Sequence, residues 1–421
     1  MISQTFLQAD TPTARRLAIG LGCLLEYNGR VELSAVVLFA FITIRSSPVE
    51  FLMPTYRVAV IGSTGRGNYG HGLDTVWFDI PGARIVAVAD DNKTGLENAL
   101  KRLKGAKGYA DYRKMLDEEK PQYVSVSQRF VDRHAEMVIE CANRGIHMYV
   151  EKPLCQTLKQ ADDMIAACRK TGVKVAVAFQ TRYSPKLAIV KQLLEEGRIG
   201  DVLEFRARGK EDARGGGEDL WVLGSHLFNM IHHLGGEPEW CQARVFQAEK
   251  PVTKEHVKQG NEGIGLLAGD EVHATWGLAG GAIATFNSKK SMGGPTGTPS
   301  RFGIQIFGSK GIIEVLMGSL PDVKLLEDPS WSPGRSGKMW VNVSSEGVGA
   351  EEPLKDASLH AGNVLAVKDL IAAVEDDREP EANIYEARLT VEMIASVFES
   401  HRVNGTVSFP LKNRDNPLGM L

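Results

Sequence analysis

The residues whose types and spacing could do chemistry begin at Gly62-Ser63-Thr64-Gly65-Arg66-Gly67, with Gly70 and Gly72 close behind. The run before them, Arg57-Val58-Ala59-Val60-Ile61, is short, apolar and β-branched, as a strand buried on both faces of a parallel sheet is. Glycines in the turn after such a strand, and in the first helical turn beyond it, let the main chain approach a pyrophosphate and aim free N–H groups at the anion. The G-x-G-x-x-G register is broken, because Thr64 stands where the middle glycine belongs and Gly65 sits beside it. A lone loop of this kind also suits an ordinary tight turn. The second signal is Asp90, which ends another apolar run, Ile85-Val86-Ala87-Val88-Ala89. A carboxylate there accepts from the adenosine ribose hydroxyls and repels a 2′-phosphate, so the pair points to NAD in preference to NADP.

The elements that must position these residues alternate as in a doubly wound α/β domain. Thr94 to Lys104 carries Leu96, Leu100 and Leu103 at helical spacing, and Tyr109 to Asp117 reads as a short polar helix. Strands are predicted over Tyr123 to Ser127, Ile146 to Val150 and Val173 to Phe179. Helices fall between them, over His134 to Asn143 and from a Thr157 cap to Gly172. Beyond Ser184, five further runs read as strands: Val202 to Arg208, Glu271 to Leu278, Gly281 to Ser288, Phe302 to Phe307 and Ile312 to Leu316. Few helices separate them, which predicts an open, mainly antiparallel sheet with one bare face.

In order, the glycine loop, the acid after the second strand, His134, Glu151-Lys152-Pro153 and Arg182-Tyr183 resemble the Gfo/Idh/MocA oxidoreductases over about Tyr56 to Pro410. The resemblance implies a Rossmann domain over 54–183, with Gly62, Ser63, Thr64, Gly65, Arg66, Gly67, Asp90, His134, Glu151 and Lys152 along the cofactor. It implies a second α/β domain over 184–421 whose sheet walls the active site and whose last helices, Ala361 to Val374 and Tyr385 to His401, return to the first domain. It also implies that the sheet forms an oligomer interface. An apolar bare face would need covering, so a homodimer or homotetramer is expected.

Within that frame Lys152 is the first catalytic candidate, since an ammonium beside a nicotinamide can orient a substrate hydroxyl and take its proton when burial lowers its pKa. Most lysines are merely solvated, but this one leaves the carboxyl edge of a strand between an acid and a proline. In the family the bond before that proline is often cis. His226 is the second candidate, matching the histidine of the family's G-x-x-L-x-D-x-G-x-H-x-x-D helix. The departures are Val222 in place of the aspartate one turn before it and Asn229 in place of the second aspartate. Glu218 or Asp219 could supply the missing carboxylate. Arg182, Tyr183 and Asn229 are expected to face the substrate, while Lys210, Arg214, Lys289, Lys290 and the Gly293 to Ser300 loop suit either the site or a solvated surface.

The resulting expectation is an NAD-dependent oxidoreductase acting on a secondary alcohol of a sugar, sugar acid or cyclitol. Two alternatives use the same parts: glycoside cleavage through transient oxidation, and a non-catalytic NAD sensor. A net charge of −3 over 421 residues gives no reason to expect nucleic acid, and five scattered cysteines without a C-x-x-C pair indicate neither zinc nor a disulfide framework. Residues 1–53 stand apart. Arg15-Arg16 before Leu17 to Leu25 could be an export signal, but both apolar runs there are too short for a membrane helix. Met53-Pro54 directly precedes the first strand, so the stretch is expected to be a non-native or disordered extension of a cytoplasmic protein, an exported form being the rival.

Overall fold

Short runs of Val, Ala and Tyr build the first sheet of the computed structural model, which describes residues 56–294 and 300–421. The expected extension over 1–53 and most of the Gly293 to Ser300 loop lie outside the described residues. Strands β1 (Tyr56–Ile61), β2 (Ala83–Ala89), β3 (Lys107–Tyr109), β4 (Tyr123–Val126), β5 (His147–Val150) and β6 (Val175–Val177) run in the order β3-β2-β1-β4-β5-β6. All their pairings are parallel. The order reverses between β1 and β4, which opens a crevice at the carboxyl ends of the strands. Helices α1 (Lys93–Arg102), α2 (Tyr112–Glu119), α3 (His134–Ala142) and α4 (Leu158–Thr171) connect the strands. As expected, Thr157 caps α4 by accepting the Gln160 N–H, and Gly172 ends it at φ 71°.

The expected helix after β1 is absent. Residues 62–75 form a string of turns that ends in one 3-10 turn, Val76–Asp79. The cause is local, since Gly65, Gly67, Gly70 and Gly72 adopt φ of +88°, +85°, +61° and +87°, left-handed values at which an α-helix cannot propagate.

After α5 (Pro185–Glu195) the second sheet has eleven strands. Its middle runs Gly303–Gly308, Val202–Arg208, Ile283–Lys289, Glu271–Leu278, Pro238–Gln247, and the second and third of these make its one parallel pairing among the described strands. Alternation sends Phe205, Val245, Val272, Trp276 and Phe286 into the core. The opposite face is polar rather than apolar: Arg206, Gln242 and His273 are exposed, and Gln305 donates to Glu314 across neighbouring strands at 2.8 Å. The apolar bare face expected from the sequence is therefore not there, because the outward positions carry charged and amide side chains.

The chain returns to the first domain through α8 (Leu359–Glu375) and α9 (Ile384–Val403). On α9, Ser396 Oγ accepts from Trp276 Nε1 at 3.0 Å and Ser400 Oγ accepts the Ala243 N–H at 2.8 Å, both from the second sheet. Arg388 reaches the other way to Asp162 on α4, 3.0 Å distant. One helix thus spans both sheets. No helix among the described residues is long and apolar enough to cross a membrane.

Trp276 is fully buried against Phe228, with ring centroids 5.1 Å apart. Trp276→Ala should therefore cost about 3–5 kcal/mol of unfolding free energy. Denaturant unfolding at unchanged m-value checks this, and a loss below about 1 kcal/mol would mean that the helix and sheet are joined elsewhere.

Candidate functional site

At the carboxyl ends of β1 and β2 lies a hollow of about 220 Å³ lined by Gly62, Asp90, Asp91, Tyr112, Arg133 and Met137, among others. Asp90 is only 1% exposed. It accepts the Thr64 hydroxyl at 2.7 Å, the Tyr69 hydroxyl at 2.9 Å, and the main-chain N–H groups of Thr64 and Asn92 at 3.1 and 2.9 Å. Its oxygens are thus committed to the glycine loop. The neighbouring Asp91, with a side chain 53% exposed, accepts from Ser63 Oγ at 3.2 Å and pairs with Arg133 at 3.2 Å. Thr64 in the middle glycine's place has its own accommodation. A Cβ on Gly95, in the first turn of α1, would come 2.0 Å from Thr64 Oγ1, so the bare helix surface there makes room for the threonine.

The loop's own donors are largely used internally. Ser63 N–H and Asn68 N–H bond Asn68 and Ser63 carbonyls at 3.0 Å, and Gly65 N–H bonds Asn68 Oδ1 at 3.0 Å. With no helix N-terminus behind the loop, positive charge near its mouth comes from side chains. Arg66 pairs with Asp132 and lies over the Phe130 ring, and Arg129 pairs with Glu262 at 3.4 Å. Both guanidinium groups keep an unbonded Nε.

A second cavity, of about 180 Å³, opens where β5 and β6 end against the second sheet. His71, Lys152, Gln180, Thr181, Leu223, His226, Phe302 and Met317 line it. Lys152 follows β5, before a cis Lys152–Pro153 bond, and is 6% exposed. Its Nζ donates to the Val222 carbonyl at 3.0 Å. That carbonyl is free because the expected single helix is broken at Leu223 (φ −116°, ψ −40°) into α6 (Gly217–Val222) and α7 (Gly224–Gly235). Burial pushes the Lys152 ammonium below the ordinary lysine range, with Glu151 and Glu262 opposing and Arg214 and Arg129 reinforcing the shift. Burial also holds His226 well below the ordinary histidine range, and the charges of Lys152 and His71 push the same way. His226 is thus neutral, edge-on to Phe179 at 5.6 Å, with Nδ1 unbonded.

Glu151 has no exposed side-chain surface. Its Oε1 accepts the His71 main-chain N–H at 3.0 Å and also bonds His71 Nδ1, and its Oε2 accepts the Lys152 N–H at 2.8 Å. Burial raises this carboxyl, but the hydrogen bond and charge of His71, with Lys152 behind them, outweigh that and hold it below the usual range.

Of the other expected site residues, several are not brought to either cavity. His134 is fully buried below the crevice, its ring between the Gln128 carbonyl at 2.8 Å and the Pro153 carbonyl at 3.0 Å, where it ties the ends of β4 and β5 together. Arg182 and Tyr183, expected at the substrate, turn toward the chain leading into α9. Arg182 bonds the Glu381 carbonyl at 3.2 Å, and the Tyr183 hydroxyl accepts the Ala382 N–H at 3.1 Å. They share the 3-10 turn Gln180–Tyr183, whose first two residues take the cavity side instead. Asn229 is 1% exposed with both amide atoms unbonded, away from the cavity lining. Glu218 accepts from Asn261 at 3.0 Å and Asp219 from Ser288 at 2.6 Å, so neither carboxylate serves His226. Lys210 and Arg214 both pair with Asp212, and Lys289 with Glu271.

Sequence reasoning missed His71, although a lone histidine inside a glycine run at a strand end is a usable signal. It also missed Asn363 of α8, fully buried, which accepts from Gln180 Nε2 at 2.9 Å and from the Tyr149 hydroxyl at 2.7 Å while donating to the His71 carbonyl at 2.9 Å. Nothing local in the sequence marks that residue.

Comparison with known proteins agrees with this architecture. The family model described as "Oxidoreductase family, NAD-binding Rossmann fold" matches residues 56–179, and the GFO/IDH/MocA C-terminal domain matches 187–314. Levoglucosan dehydrogenase of Pseudarthrobacter phenanthrenivorans is 25% identical over 250 residues, 54% of this chain and 63% of that one. The scyllo-inositol 2-dehydrogenase (NAD(+)) of Bacillus subtilis is 30% identical over 150 residues, 36% of this chain and 43% of that one. Inositol 2-dehydrogenase of Rubrobacter xylanophilus is 26% identical over 262 residues, 61% and 70% of the two chains. The match thus spans less than two thirds of the length of the first two relatives. Among solved structures, levoglucosan dehydrogenase in complex with NADH and levoglucosan has the same fold, with TM-score 0.68 and 20% identity over 85% of this chain and 99% of that one.

The two neighbouring aspartates should behave differently. Asp90→Ala should lower unfolding free energy by about 1.5–3 kcal/mol, because it strands the buried donors of Thr64 and Tyr69. Asp91→Ala should leave stability within about 0.5 kcal/mol and weaken nucleotide binding instead. Thermal unfolding and NADH titration of both variants check this. Equal melting temperatures would remove Asp90 from its bracing role.

Proposed function

The chain belongs to the Gfo/Idh/MocA oxidoreductase family, and we propose that it is an NAD-dependent dehydrogenase acting on a secondary alcohol carbon of a sugar, sugar acid or cyclitol. The observation that carries this reading is the convergence of Lys152 from the first domain and His226 from the second on one cavity at the crevice edge. The relatives' names, a levoglucosan dehydrogenase and two inositol dehydrogenases, support the substrate class.

The residues present suit the cofactor. Asp91 and Ser63 would accept and donate at the adenosine ribose, and the exposed carboxylate disfavours a 2′-phosphate. Arg66 and Arg129, each with an unbonded Nε, would meet the pyrophosphate. NAD⁺, when bound, supplies the two-electron acceptor. Lys152, poised on the Val222 carbonyl, orients the substrate hydroxyl and favours its ionisation. His226, neutral and with a free nitrogen, holds a second substrate hydroxyl. Gln180 and Thr181 complete the polar wall. Where the family pattern has an aspartate, Val222 offers its main-chain carbonyl, and Lys152 is what takes it.

The test is to incubate the full chain with NAD⁺ and levoglucosan, myo- and scyllo-inositol or sugar acids and to follow reduced-cofactor absorbance. Accumulating NADH supports the dehydrogenase. A split glycoside without net NADH would favour transient oxidation, and tight NAD binding with no turnover on the panel would favour a sensor. With a substrate in hand, Lys152→Ala should lower kcat/KM by about 10²–10⁴-fold and more than His226→Ala does. The reverse order would make His226, and not Lys152, the main group that activates the hydroxyl.

A further inference from the structure

Three ionisable groups face the second cavity, and they differ in what balances a positive charge. Lys152 keeps its ammonium protons directed at the Val222 carbonyl. His226 lies near Lys152 and His71 with no acid bonded to it, so a proton accepted there would be opposed by the ammonium beside it. His71 alone is bonded to a carboxylate, and that carboxylate has no solvent to share its charge with. With Nδ1 engaged by Glu151, Nε2 is the ring nitrogen left for a ligand in the cavity that His71 lines. The ring keeps 29% of its side-chain surface exposed. The framework holds it from two more directions, through its N–H on Glu151 and its carbonyl under Asn363 Nδ2.

We propose that His71, held by Glu151, is the catalytic group that takes the substrate's hydroxyl proton, an inference that rests on the dehydrogenase reading above. Oxidation of the alcohol removes a hydride, which NAD⁺ accepts, and a proton, which goes from the hydroxyl oxygen to His71 Nε2 as the C=O bond forms. Nδ1–H stays on Glu151 throughout, and the buried carboxylate offsets the charge the imidazole gains. The geometry is that of a base oriented and neutralised by an acid behind it. Lys152 then serves the oxygen and His71 the proton, which is how the site works without an aspartate at Val222. The charged groups facing His71 are Glu151 and Lys152, with neutral His226 beyond.

The experiment is a pH titration of the histidine imidazoles by NMR in the full chain, with His71 assigned from the resonance lost in His71→Gln. Charge near Nε2 should register, so the His71 midpoint should lie about one pH unit or more lower in the NAD⁺ complex than in the NADH complex. Glu151→Gln should lower it further by a similar amount. In kinetics, kcat/KM for alcohol oxidation should fall as pH drops through that midpoint, because protonated His71 cannot accept. His71→Gln should abolish this limb and cost about 10²–10⁴-fold while still binding NADH. A midpoint identical in the two cofactor states, or an acid limb that survives in His71→Gln, overturns the proposal. If Glu151→Gln does not fold, the cofactor comparison in the unmutated chain still decides. Turnover with a cofactor-insensitive His71 would sink the proton acceptor alone, whereas no turnover with a cofactor-sensitive His71 would sink the dehydrogenase reading and the catalytic role with it.

Discussion

Two buried carboxylates hold the loop after β1, and the site depends on them. Asp90 at the end of β2 grips Thr64 near the start of the loop, and Glu151 beyond β5 grips His71 near its end. In a helix, the i to i−4 ladder would fix these residues; here the left-handed glycines forbid the ladder, and the fixing is done from outside. Buried carboxylates are costly unless every oxygen finds donors. That cost is what makes the arrangement specific, since only a loop that delivers Thr64, Tyr69 and His71 to these oxygens satisfies them. Gly70 belongs to the same constraint. A Cβ there would lie 2.4 Å from the Ser127 carbonyl and 2.7 Å from Glu151 Oε1, so a side chain would displace the acid that holds His71.

Much of the fold was legible because strong local signals and the packed structure agree. The apolar stretches of β1 and β2, Val58 to Ile61 and Ile85 to Ala89, are buried throughout, and α4 starts and stops at the capping threonine and glycine read from the sequence. Where the signal is short or mixed, the reading failed. β3 is Lys107-Gly108-Tyr109, too brief to show a period, so the sequence assigns its Tyr109 to the helix expected over Tyr109 to Asp117. Pro238–Gln247 buries Cys241, Ala243 and Val245 in alternation, but its proline, glutamate and glutamines hide a ten-residue strand that pairs with Glu271–Leu278. The sheet's bare face was misjudged for the opposite reason. Strand propensity says that a face exists, while its chemistry lies in which alternate residues point outward.

The site itself was legible by residue type and illegible by contact. Lys152 and His226, the two residues that the sequence singles out, line one cavity. Val222 was read as a lost acid, because a sequence offers side chains and not main-chain atoms. A break at Leu223 ends α6 there, and a helix's last carbonyls have no partner within the helix. The valine therefore contributes the one group that does not depend on its identity. Arg182 and Tyr183 show the same limit in reverse: their types suit a sugar, but the turn they share points them at α9.

Charge decides how these parts work together. At Lys152 the charges of Arg129 and Arg214 are answered by those of Glu151 and Glu262. A positively charged nicotinamide entering such a site lowers the affinity of every neighbouring base for a proton, so a base without its own acid would lose the contest first. Neutral His226 is already in that position. Lys152 is drawn toward it by burial and away from it by Glu151. Glu151 thus acts twice, through the ring it bonds and through the lysine that follows it in the chain. Removing its charge would take the partner from the ring and a balancing charge from the lysine together, so its buried place beside the glycine loop bears on both.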